Sequence, residues 1–204
     1  MKLIMQEVCM NNVVTDMDVI FEEIFQKLVS PDFGKNLGGE LSLFVQPIPV
    51  TKQTELDYQI VRLVSRLAKQ CKNAIIINLY ELCMEILDEE DVLQTILYKE
   101  KNLNKDDISS TLDSVLDIKD VVIPKINNMI KDNTPDFVFI TGVGRVYPFL
   151  RSHGILNNIE ELANESNLVL FFPGEYNNLQ LSLFGIISDE NYYRGHNLCE
   201  IKYF

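Results

Sequence analysis

Apolar residues return along this chain in two rhythms. Over residues 15–28 they come at steps of three and four, with Ile20, Phe21, Ile24, Phe25 and Leu28 on one face, which predicts an amphipathic helix. Pro31 and Gly34 close it, and Gly38-Gly39 predict a turn. A second stripe, Leu56, Ile60, Leu63, Val64, Leu67 and Cys71, predicts another helix. Thr54 reads as its N-cap, with Glu55 and Asp57 in the first turn. Short continuous apolar runs make the other rhythm: 41–45 (LSLFV), 74–79 (AIIINL), 137–141 (FVFIT) and 168–172 (LVLFF), each read as a strand. Pro47 and Pro49 keep the exit from the first extended, and Pro173-Gly174 ends the last. The β-branched 74–79 run fits a strand covered on both faces, as in a parallel sheet.

Residues 81–131 are charged and helical in pattern. They place Val92, Leu93, Ile96 and Leu97 inward, then Ile108, Leu112, Val115 and Leu116. A third helix, about 117–131, repeats Ile118, Val122, Ile126 and Ile130 at steps of four, with Pro124 kinking or shortening it. After the third strand come a Gly142-Val143-Gly144 turn, a short helix through Leu150 and a helix over 155–163. Residues 181–184 form a short strand or helical turn, and 197–203 lie at a sheet edge. Strands alternating with helices predict an α/β fold: a mainly parallel sheet flanked by helices, with the helical excursion between two of its strands. All 204 residues fit one domain.

Charge narrows the function. Thirty acids against 18 Lys and Arg leave a net charge of −12 and no basic block, which argues against direct nucleic-acid binding and suits a basic protein partner. Cys9, Cys71, Cys83 and Cys199 form no CxxC pair and read as buried free thiols of a reducing cytoplasm. Gln6 and Glu7 break the only N-terminal apolar run, so no signal peptide is expected, and no stretch is long enough to span a membrane.

Three loops concentrate the candidate chemistry. Residues 141–154 (TGVGRVYPFLRSHG) leave a strand at the edge where open α/β sheets place their sites. Arg145 and Arg151 can hold an anion or carboxylate there, or pair with local acids. A lone GxG does not make a dinucleotide fingerprint. Residues 171–185 (FFPGEYNNLQLSLFG) offer Glu175, as a base or metal ligand or simply a partner of Arg145 or Arg194. Tyr192, Tyr193 and Arg194 have the composition of an interface patch. Glu81, Glu85 and Asp88 or Glu89 line one helical face, either solvated or a docking stripe for a basic partner. No P-loop, GxSxG, HExxH or zinc-ribbon spacing occurs. No catalytic, cofactor or metal residue is assigned.

The strings at 141–157 (TGVG…PF.RSH..LN), 171–185 (FFPGEY…LSLFG) and 192–198 (YYR…NL) resemble the BrxB family of the bacteriophage-exclusion (BREX) defence systems. The N-terminal strand, proline link and helix around 41–67 look similar too. Gly195-His196 departs from the family pattern. The resemblance implies a phage-defence component without established catalytic residues, an adaptor that binds the alkaline-phosphatase-like protein PglZ, alone or together with the large ATPase of the same system. The expected contact surface is Arg145, Arg151, Glu175, Tyr192, Tyr193 and Arg194. The alternative is a degenerate nucleotide-binding or hydrolytic domain in the same system.

Overall fold

The computed structural model describes residues 16–35, 41–99, 102–150, 152–158, 166–177, 180–188 and 195–201. A parallel sheet is built from β1 (Leu43–Ile48), β2 (Ala74–Asn78), β3 (Phe137–Thr141), the first part of β4 (Asn167–Tyr176) and a two-residue strand near the C-terminus, His196–Asn197. Two short strands, β5 (Leu181–Leu183) and β6 (Ile187–Ser188), add antiparallel to the end of β4. With the C-terminal strand as β7, the order is β2-β3-β4-β1-β7.

Alternation of side chains gives the sheet two apolar faces. Phe44, Ile48, Phe137, Phe139, Val169 and Phe171 face helices α1 (Met17–Val29) and α2 (Gln53–Ala68). These helices bring Met17, Phe21, Ile24 and Leu28, and Leu56, Ile60, Leu63 and Leu67. Phe21 stacks on Phe171 at 5.7 Å, and Phe139 meets Phe171 edge-on at 5.6 Å. Each such side chain, once buried, contributes roughly 1.5–3 kcal/mol. The opposite face, with Leu43, Val45, Val138, Ile140, Leu168, Leu170 and Phe172, lies under the helical excursion. That excursion comprises α3 (Leu79–Glu89), α4 (Val92–Lys99), α5 (Lys105–Val115) and α6 (Ile123–Asn133). The fold is thus α/β as expected, with the excursion between β2 and β3.

Pro124 acts as expected. It sits in the first turn of α6, where its missing N–H costs no bond, and the preceding turn Ile118–Val122 is a π-helix capped by Asp117. Val122, Ile126 and Ile130 are buried.

Several expectations fail for identifiable reasons. Pro47 does not end the first strand. Val45 accepts from Leu198 N–H, so the strand's alternation turns Pro47 to the β7 side, past the end of that short ladder. Nor do Pro173-Gly174 end β4. The chain runs on as strand to Tyr176 and leaves the parallel sheet to pair with β5, opposing Gly174 to Leu183 and Glu175 to Ser182. A Cβ at Gly174 would collide with the Ser182 carbonyl. Thr54 is not the N-cap: a 3-10 turn, Val50–Lys52, leads into α2, and Lys52 caps it without a side-chain bond. Cys71 lies outside the core with a positive φ, and Leu97 is exposed. Among the described residues strand β2 is an edge strand, and its Ile76 is exposed on the α1–α2 face, so it is not covered on both sides. The helix expected through Leu150 stops at Val146, and the next begins at Ser152. The Gly38-Gly39 turn and Cys9 lie outside the described residues.

Candidate functional site at the carboxyl edge of the sheet

Strands β2, β3, β4 and β1 run parallel, so their carboxyl ends share one edge. At the end of β3, Gly142 takes φ +79, a left-handed conformation that favours glycine. A Cβ there would also strike Asn78 Oδ1, which caps α3 by accepting from Tyr80 N–H at 3.1 Å. Gly144 follows in a single helical turn, α7 (Val143–Val146). A Cβ on Gly144 would come within 2.9 Å of the Phe184 ring and 3.0 Å of Pro173 Cγ. The turn after β3 and the strand extension after β4 are therefore packed directly against each other.

Arg145 projects from α7 to Asp57 in the first turns of α2, at 2.9 Å. Both side chains are about half exposed, so the pair is a surface contact worth about 0–1 kcal/mol. The alternative pairing of Arg145 with Glu175 is not made; Glu175 is exposed. Asp57 was legible only as a helix-start acid, and nothing in the sequence links it to an arginine 88 residues away.

The C-terminal segment is fastened to the same region. Tyr176 donates its hydroxyl to Gly195 O at 2.7 Å, and Asn197 Nδ2 donates to Tyr176 O at 3.2 Å. Lys27, buried on α1, places its ammonium 2.6 Å from Leu198 O and 3.2 Å from Cys199 O. Arg151, Tyr192, Tyr193 and Arg194 lie outside the described residues.

Elsewhere, the acidic face of α3 is partly neutralised. Lys125 reaches Glu85 at 2.9 Å and Glu89 at 2.6 Å. Burial disfavours its ammonium, but those two carboxylates outweigh that and hold its pKa above the usual lysine value. A cleft of about 110 Å³ between α1 and α2 is lined by Phe21 and by the pairs Asp18–Arg62 and Glu22–Arg66. It is below the size of ordinary small-molecule sites. Among the described residues no three His, Cys, Asp or Glu side chains gather as a metal set, and no helix is long and apolar enough to cross a membrane.

The three strings singled out in the sequence therefore meet in space, through Gly144–Pro173–Phe184 and Tyr176–Gly195–Asn197. Comparison with known proteins agrees. The family model for "BREX protein BrxB" matches residues 75–198. The chain belongs to the BrxB family. It is 35% identical over 185 residues to a BREX protein BrxB of Bacillus cereus (strain H3081.97), covering 88% of this chain and 95% of that protein. It is 23% identical over 164 residues to a BREX protein BrxB of Escherichia coli O9:H4 (strain HS), covering 79% and 80%. No solved structure matches it.

Proposed function

We propose that this BREX-system protein is a non-catalytic cytoplasmic adaptor that binds PglZ through the carboxyl edge of its sheet. The observation that carries the reading is the contact of Gly144 with Pro173 and Phe184, which sets the Arg145 turn beside the Glu175 strand. Arg151, Tyr192, Tyr193 and Arg194 complete the contact surface. Arginine and tyrosine are the side chains that anchor protein interfaces.

The same glycines weigh against the alternative of a degenerate nucleotide-binding or hydrolytic domain. A dinucleotide loop uses one glycine for the close approach of the pyrophosphate to the backbone, and others for the turn and for helix–strand packing. Here the open side of Gly142 is occupied by Asn78 and that of Gly144 by Phe184 and Pro173.

The test is a pull-down of the full chain with PglZ, both proteins verified as folded. Capture that Arg145→Glu or Glu175→Arg reduces at least tenfold supports the reading; no capture of the unmodified chain rejects it. Purified protein mixed with ATP or GTP and Mg²⁺ decides the alternative. Binding at 100 times Kd adds about 2.7 kcal/mol, and a melting shift of that order would favour a nucleotide site.

A further inference from the structure

Strand β2 ends the sheet order, and on its outer side no described residue pairs with it. Just before it, Asn73 turns its backbone toward β3: its carbonyl accepts from Phe137 N–H at 3.1 Å and its N–H donates to Asp136 Oδ2 at 2.7 Å. Backbone groups alternate sides along a strand, so Ala74 and Ile76 turn their N–H and C=O groups outward and Asn78 its N–H, while the Asn78 carbonyl, at the N-cap, opens α3. Proteins usually blunt such an edge with lysine, proline or a bulge. Residues 73–80 (NAIIINLY) carry neither charge nor proline. Ile76 is 36% exposed, and the neighbouring helix α2 exposes Val61 at 57%.

We propose that two copies of this chain join along β2, antiparallel about a two-fold axis at Ile76, so that one sheet runs through both. The strand suits a copy of itself. Ile76 opposes Ile76 with its hydrogen-bonding groups outward, and Ala74 opposes Asn78. The charges flanking this neutral centre are complementary under the same rotation. Lys72 precedes the strand and Glu81 lies in the first turn of α3 just after it; in this register Lys72 falls opposite Tyr80 of the other copy, the residue before Glu81. A two-fold interface requires this kind of self-complementarity. The net charge of −12 on each copy opposes association, but salt at about 0.15 M screens it beyond roughly 8 Å.

Sedimentation equilibrium of the full chain at that ionic strength, up to roughly 200 µM, tests the pairing by mass action. The mass should rise from 23.5 kDa toward twice that value. Ile76→Lys and, on the exposed helix surface, Val61→Glu should each weaken the dimer at least tenfold while the circular dichroism spectrum is retained. Opposed Cα atoms in a hydrogen-bonded antiparallel pair lie about 5.5 Å apart, within reach of a disulfide. In a Cys71→Ser background, Ile76→Cys should therefore cross-link two chains under mild oxidation. A mass that stays monomeric overturns the proposal, as does a dimer indifferent to both substitutions or one that Ile76→Cys fails to cross-link.

Discussion

Gly144 lies against Pro173 so closely that a single added carbon would come within 3.0 Å of the proline ring. The nearest atoms on the other side belong to the Phe184 ring. Gly144→Ala should thus force Phe184 or the β4 extension to shift, at about 1–3 kcal/mol as for other overpacking changes. Gly144→Ala combined with Phe184→Leu should recover part of that loss. Thermal melts of the four proteins in this cycle measure the coupling; strictly additive losses would show that the two residues do not press on each other.

Lys27 and Leu198 are a second long-range pair, with an ammonium buried on α1 against a carbonyl just past β7. Lys27→Met keeps most of the side-chain volume but removes the charged donor. A cost of about 1–3 kcal/mol is expected, concentrated at the C-terminal segment. Hydrogen exchange should accelerate at residues 196–200 well before it changes in β3.

The α1–α2 contact carries an acid limit. Hydrogen bonding from Gln59 and then Arg62 holds the Asp18 carboxyl below its ordinary value of 3.8. Gln26 and then Arg66 do the same for Glu22 below 4.5. A carboxylate with a depressed folded pKa stabilises the fold above its ordinary pKa, and that contribution is lost as pH falls through the folded value. Melting temperature should therefore be insensitive to these groups from pH 7 down to about 4.5 and should drop below it. Asp18→Asn should lower stability at pH 7 and flatten the acid limb; an unchanged acid limb would exclude Asp18 as a contributor.

Burial pushes the Cys83 thiol up to about 11, so at pH 8 only about one molecule in a thousand carries the thiolate. Cys71 is exposed. Titration with a disulfide reagent should lose its fastest phase in Cys71→Ser, whereas Cys83→Ser should remove a thiol that reacts only on unfolding.

How much of this could be read from the chain depends on which constraints are local. The parallel strands β3 and β4 and the stripes Leu56–Ile60–Leu63–Leu67 and Val122–Ile126–Ile130 were legible, because burial alone dictates their spacing. So was the role of Pro124, since a missing N–H is a property of the residue itself. Pro47 was misread because whether a strand proline matters depends on which side its neighbour pairs, here a β7 strand about 150 residues later. Pro173-Gly174 looked like a stop because its pairing with β5 is tertiary. At the candidate site, Arg145 and Glu175 could be placed at one edge from strand order, but the choice of Asp57 over Glu175 as the arginine's partner could not.

That choice separates stability from recognition. Arg145 and Asp57 are half exposed, so breaking their contact should cost no more than about 1 kcal/mol, or roughly 2–4 °C in a chain of this size. Asp57→Ala should leave PglZ capture intact or improve it, because it frees the guanidinium. Arg145→Ala should reduce capture with an equally small melting shift. Equal losses of binding in the two variants would instead mean that the ion pair only shapes the α2–α7 junction, and the contact surface would have to lie elsewhere on the edge.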